Sequence, residues 1–185
     1  LQADHLTEEK RQKLVGEISM LVTRFDWLVE AMLKLSRIDA DAVRFQMQPV
    51  SAGTVVRQAA QPLEIPMELR GQRLLLKVPD GISLLCDPSW TAEAIGNVLK
   101  NCMEHMPEGG QLSVRAEETA LFVQMVVEDE GAGIDPEDLP HLFERFYRGK
   151  NAAAQSIGIG LALSRTILAA QNGTIKAENR PEGGA

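Results

Sequence analysis

Aromatic side chains make up only 4% of this 185-residue chain: five Phe, two Trp and one Tyr. So few rings leave no stacking platform for unpaired bases, which argues against single-stranded nucleic acid as a ligand. Basic residues are also in deficit. With 19 Lys and Arg against 26 Asp and Glu, the formal charge is −7, and such a chain repels a polyanion instead of releasing its counterions. Long apolar runs are missing: nothing approaches the roughly 18 to 20 consecutive apolar residues of a membrane span. Asp4, Glu8 and Glu9 break any signal-peptide layout at the start. The two cysteines, Cys86 and Cys102, have neither metal-ligand spacing nor a disulfide framework. Both are expected to be reduced core thiols in a cytosolic compartment. The chain opens on Leu1 rather than Met, so it is read as a fragment of a longer protein.

What is present suits a globular domain: 44% of residues are apolar and 24% charged. The length allows one ordinary domain plus a modest appendage. Leu14, Ile18, Leu21, Phe25, Leu28, Met32 and Leu35 recur at alternating spacings of four and three, which sets one apolar stripe along a long helix. Val15, Val22 and Val29 widen that stripe beyond a two-stranded seam, so the helix wants several partners. It is expected to start near Thr7 and to end between Ile38 and Asp41.

Beyond Pro49 the pattern is mixed. Residues 50–69 read as a helix distorted around Pro62 and Pro66, and 74–78 and 82–86 as short strands. Asp87 and Pro88 form an N-cap and first helical position for a helix to His105, closed by Pro107, Gly109 and Gly110. Strands are expected over 111–116 and 121–128, a short helix from Asp135 to Phe143, a helix over 160–171 closed by Asn172 and Gly173, and a strand over 174–179. The sum is an α+β fold behind a helical stalk.

Four clusters carry chemistry. Asn97 and Asn101 lie four apart on one helical face, with His105 a turn further on, and an amide carbonyl there suits Mg²⁺ or a phosphate-side contact. Asp129-Glu130-Gly131-Ala132-Gly133 follows an apolar strand, where a carboxylate accepts from an exocyclic amine and glycines let backbone approach a planar base. In the run from Leu142 to Gly149, Phe143 and Phe146 flank cations, and both rings are expected in the core. Small and polar residues from Lys150 to Ser156 follow, so the arginines could swing onto a phosphate. Ser156-Ile157-Gly158-Ile159-Gly160-Leu161 opens a helix whose first N–H groups suit a polyphosphate.

In this order the clusters resemble the N, first G, F and second G boxes of the catalytic ATP-binding domain of sensor histidine kinases. That superfamily is shared with gyrase, the Hsp90 chaperones and the MutL proteins. The resemblance implies a two-layer α/β sandwich of the Bergerat type behind a long N-terminal bundle helix, with helices over one face of a mixed sheet and ATP between the Asn helix and the Gly loop. It assigns Asn101 to Mg²⁺, Asn97 to a phosphate, Asp129 to the adenine amine, and Gly131 and Gly133 to admitting the base. Gly158, Gly160 and Leu161 fall to the phosphates, Arg145, Arg148 and Lys150 to the lid, and His105 to a place beside the nucleotide. Residues 1–44 would be a partial dimerisation hairpin and 45–185 the catalytic domain. The partners implied are ATP, a response-regulator receiver domain and a second copy joined through the N-terminal helix. The membrane would be reached only through upstream segments, leaving this part in the cytoplasm.

Three departures stand out. Glu104 occupies a position where many members of that family carry Lys, and Ser156 replaces the first glycine of the second G box. No His-Glu/Asp-x-x-x-Pro phosphoacceptor box is present, and His5, with no proline near it, does not fit one. The fragment is therefore expected to bind ATP without phosphorylating itself. The alternative reading is a degenerate, nucleotide-independent scaffold for dimerisation or regulator docking.

Overall fold

The computed structural model describes residues 7–150, 156–181 and 183–185. His5, the stretch 151–155 and Glu182 lie outside the described residues. Helix α1 runs from Glu8 to Asp39, close to the span its apolar spacing predicts. Thr7 stands at its N-cap in an extended conformation without a side-chain capping bond. This agrees with the absence of an acid or Gln at position 10 that would complete a capping box.

The rest of the chain adds β1 (Gln48–Ser51), α2 (Ala52–Ala60), a 3₁₀ turn (Gln61–Leu63), α3 (Glu64–Leu69), β2 (Arg73–Lys77) and β3 (Ser83–Cys86). Then come α4 (Pro88–His105), β4 (Gln111–Glu118), β5 (Val123–Glu128), a 3₁₀ turn (Leu139–His141) and α5 (Gly160–Ala170). The strands form two ladders among the described residues. β1 pairs antiparallel with β3, Gln48 opposite Cys86. The second ladder has the order β2-β4-β5, with β2 parallel and β5 antiparallel to β4.

The layers follow from which faces are apolar. Leu112, Val114 and Ala116 alternate inward along β4; Val55, Val56, Ala59, Leu63 and Met67 cover the first two together with Ala92, Ile95, Leu99 and Met103 of α4, and Ala116 packs with Ala52 and Ile82. Gly96 lets α4 approach α2, since a Cβ there would stand 3.4 Å from the Ala59 carbonyl oxygen. A second core joins Ala31, Leu35 and Ile38 of α1 to Ala94, Ile159, Leu163 and Ile167. The C-terminal half of α1 is thus part of the same packed body. Its N-terminal half is not: Leu14, Ile18, Leu21 and Phe25 are exposed, Phe25 at 63%, whereas Leu35 is only 4% exposed.

Four sequence expectations need correction. Val50 and Ser51, read as the start of the helix over 50–69, belong instead to β1, which pairs with β3 as Pro49 opposite Leu85. The short helix from Asp135 shrinks to the 3₁₀ turn Leu139–His141, whose N-cap position is held by Asp138, and Asp135 accepts the Glu137 N–H at 2.9 Å ahead of it. Pro140 then has no N–H to continue the ladder. Residues 174–179 alternate in burial as a strand would, yet join neither ladder. Alternation selects a face but does not provide a partner. Finally, Phe146 is 56% exposed, so of the two rings expected in the core only Phe143 is partly covered.

Candidate nucleotide site

Helix α4 forms the floor of the site, and its position is set at both ends. Asp87 caps it by accepting from the Ser89 and Trp90 N–H groups, and also accepts the Gln46 N–H at 2.8 Å. Gln171, past the end of α5, accepts the Asp87 N–H at 2.7 Å. At the other end the Gln72 amide donates to the carbonyls of Met103, Met106 and Pro107, each at 3.1 Å, and so ties the last turn of α4 to the segment that follows it. Gln72 has no signature in the sequence around it, because its partners lie more than 30 residues away.

Asn97 sits mid-helix beside the start of α5. A Cβ on Gly160 would stand 3.7 Å from the Asn97 side-chain carbon and oxygen, so the N and second G clusters meet here. Ser164 fastens them, its fully buried hydroxyl donating to the Ala94 carbonyl at 2.8 Å. The Asn97 Nδ2 is buried without a hydrogen-bond partner. An unsatisfied buried donor costs about 1–3 kcal/mol, and an anionic acceptor at the first turn of α5 would relieve it while meeting the positive end of the helix dipole. Asn101, half-buried, is one turn further along α4, and Leu161 is half-buried in the first turn of α5. Among the described residues no three His, Cys, Asp or Glu side chains converge on a metal site.

The Asp129 loop lies at the far end of α4. Asp129 is 5% exposed, and its Oδ1 accepts the Gly131 N–H at 2.8 Å. A Cβ on Gly131 would stand 2.8 Å from that same oxygen and 3.2 Å from the His105 carbonyl. The glycine therefore lets the loop close on its own carboxylate and on α4. Gly133 has φ +78°, and a Cβ there would meet the Asn179 side-chain oxygen at 2.9 Å. The sequence reading gave both glycines to the base; each also has a neighbour within the protein that requires it. His105 contributes its carbonyl to this contact, and its side chain is exposed. Half-buried Cys102 hydrogen-bonds the Asp129 carboxylate, and its thiol pKa is raised, first by burial and then by that negative charge. Cys86 is likewise raised by burial. Both fit the unreactive thiols expected.

The F segment is organised by Asp138, which the sequence reading overlooked. Buried at 7% exposure, it accepts the Tyr147 hydroxyl at 2.8 Å and the Lys150 N–H at 3.0 Å. The first of these bonds is the main reason the Tyr147 pKa is raised. The segment is also tied to the second G cluster: the Phe146 N–H donates to the Gly158 carbonyl at 2.8 Å. Gly158 has φ +75°, and a Cβ on it would collide with the Tyr147 carbonyl. Two of the cations assigned to the lid pair with acidic side chains. Arg145 pairs with Asp39 at the end of α1 at 2.8 Å, and Lys150 with Asp135 and Glu137 at 3.0 and 2.7 Å. Arg148 is exposed. Glu104, where the resemblance would place Lys, faces Lys100 at 3.9 Å.

Residues 86–185, which include all four clusters, match the family described as "Histidine kinase-, DNA gyrase B-, and HSP90-like ATPase". The chain belongs to that family. It is 30% identical over 181 residues to the signal transduction histidine-protein kinase BaeS of Escherichia coli, covering 96% of this chain and 38% of BaeS. To the sensor histidine kinase CusS of Escherichia coli it is 31% identical over 165 residues, covering 88% of this chain and 34% of CusS. It thus spans little more than a third of these relatives. Among solved structures, the Acinetobacter baumannii histidine kinase AdeS superposes with a TM-score of 0.77 at 22% identity, covering 99% of this chain and 84% of that one. The histidine kinase ThkA in complex with the response regulator TrrA gives 0.78 at 19% identity, covering 98% and 51%. The fold, including α1, is that of histidine kinase catalytic structures.

Proposed function

We propose that this chain binds Mg-ATP and is the catalytic portion of a sensor histidine kinase, which in the whole protein transfers the γ-phosphoryl group to a histidine for relay to a response regulator. The observation that carries the reading is the buried, unpartnered Nδ2 of Asn97, on a side chain that lies beside the start of α5. Eight residues along α4, about 12 Å at 1.5 Å per residue, the His105 carbonyl meets the Asp129 loop. Phosphates at one end and a base at the other leave room between them for a ribose.

Each residue then has a task. Asp129 accepts from the exocyclic amine of adenine, Asn97 donates toward a phosphate oxygen, and the N–H groups of Gly160 and Leu161 face the phosphates. Asn101 would hold Mg²⁺, which supplies charge neutralisation of the phosphates. Phosphoryl transfer depends mainly on positioning and charge, so the clusters need supply no nucleophile. Arg145, Arg148 and Lys150 would reach the phosphates only after Arg145 and Lys150 exchange their present acidic partners for them. The exposed stripe of α1 suits a second copy of the chain, as in a dimerisation hairpin, and the relatives' extra length would carry the phosphoacceptor, sensing and membrane segments.

Affinity for a non-hydrolysable ATP analogue with Mg²⁺ tests this reading. Asp129→Asn keeps one acceptor oxygen, which the Gly131 N–H occupies, and replaces the other by an NH₂ donor facing the adenine amine, so binding is expected to weaken at least tenfold, about 1.4 kcal/mol. Unchanged affinity would refute the adenine assignment. Incubation with labelled ATP should leave no acid-labile phosphate on the chain. If no nucleotide binds at all, a scaffold for dimerisation or regulator docking becomes the better reading, as Glu104 and the acid-bound lid cations would then suggest.

A further inference from the structure

Residues 174–179 leave the sheet unpaired, and the chain there does something else. The Asn179 side chain makes a reciprocal pair with the backbone of one residue: its Oδ1 accepts the Ile134 N–H at 2.7 Å and its Nδ2 donates to the Ile134 carbonyl at 2.6 Å. Ile134 is the residue that follows Gly133. Next to Asn179, Arg180 donates from Nη1 to the Asp129 carbonyl at 3.0 Å. Two consecutive residues therefore grip the two ends of the loop from Asp129 to Ile134. The space left by the missing Gly133 side chain is where the Asn179 oxygen sits, since a Cβ there would lie 2.9 Å from it.

We propose that Asn179 is a positioning residue for base selection: it fixes the exit of the Asp129 loop, so that the carboxylate and the Gly131 peptide present one rigid edge to the purine. This proposal rests on the reading of Asp129 given above. The physical case is one of matched bonds. A planar amide that meets both the N–H and the C=O of one residue satisfies the two peptide groups flanking its Cα and fixes how they are turned relative to each other, which a single bond does not. Asn179 itself is exposed, so it contributes little to the core, and removing it should cost the loop its register and not the protein its fold. Alanine leaves the Ile134 groups to water, which binds them without orienting them.

The test compares Asn179→Ala with the unaltered chain in two readouts. The first is the ratio of affinities for Mg-bound ATP and inosine triphosphate, whose 6-oxo group cannot donate to Asp129. Losing the paired bonds should reduce this preference roughly fivefold to tenfold, with inosine triphosphate affinity and melting temperature held. The second is amide hydrogen exchange at Ile134, which should become faster in the variant. If the variant keeps full preference for ATP, or Ile134 exchange is unchanged, the proposal is overturned. It is also overturned if both nucleotides weaken in parallel with a fall in melting temperature, because the role is then only structural. An unaltered chain that binds both nucleotides equally would instead remove the adenine reading of Asp129, and base positioning with it.

Discussion

Asn97 and Gly160 lie side by side, with the Asn97 amide carbon 3.7 Å from where a glycine Cβ would stand, and this pair joins the Asn helix to the glycine turn. The spacing is ordinary van der Waals contact, so Gly160→Ala should fold. It replaces glycine with a better helix former at the start of α5 and should keep or slightly raise stability, by at most about 1 kcal/mol. Gly158→Ala is the contrast. Its φ of +75° and the collision with the Tyr147 carbonyl require the F segment to move, at a cost of about 1–3 kcal/mol. Urea unfolding of the two variants should separate them, the second losing nucleotide affinity as well.

The Asp39–Arg145 bond gives a titration signature. Asp39 lies below its ordinary value of 3.8, mainly through the hydrogen bond from Arg145 and in part through its charge, with burial opposing. A depressed carboxyl pKa contributes stability that is fully present above the unfolded value and is lost as pH falls through the folded one. In Arg145→Gln the Asp39 resonance, followed by carboxyl NMR, should titrate closer to 3.8. The acid limb of the stability curve should then lose its Asp39 contribution. An Asp39 titration that does not move would show that the pair is absent in solution.

The two halves of α1 should respond oppositely to mutation. Leu35 is buried with Leu163 and Ile167, and Leu35→Ala should cost about 2–5 kcal/mol in chemical unfolding. Phe25→Glu, on the exposed stripe, should leave the unfolding free energy per chain nearly unchanged while reducing self-association seen by light scattering. If Phe25→Glu destabilises the monomer as strongly as Leu35→Ala, the stripe is covered by this chain itself.

Cys86 and Cys102 should resist alkylation. Both thiols are raised by burial, and the thiolate is the reactive form. At pH 8 native chains should label far more slowly than urea-unfolded ones, and bound nucleotide should slow Cys102 further because Asp129 lies against it.

Legibility followed the range of the interactions. Helix α4 could be read from Asp87, Pro88 and the Pro-Gly stop, all local signals. The four clusters could be read because each uses a distinctive residue type within a few positions. β1 could not, since four residues around Pro49 have too little pattern to oppose the helical run that follows. Asn179, Asp138 and Gln72 could not either. Asn179 acts 45 residues away, and Gln72 more than 30. Asp138 acts through a hydroxyl and an N–H that only the folded turn brings to it. An isolated polar residue gives no sign of a distant partner. The acidic partners of Arg145 and Lys150 were missed for the same reason: a cation in a sequence shows its charge and not the carboxylate that holds it.

The most direct measurement is calorimetric titration of the chain with a non-hydrolysable ATP analogue in Mg²⁺, run beside Asn97→Ala and Asn101→Ala. The account requires saturable one-to-one binding by the unaltered chain, weakened about tenfold or more by either substitution, with dependence on Mg²⁺ reduced in Asn101→Ala. Absence of binding by the unaltered chain, or equal binding by all three, would contradict it.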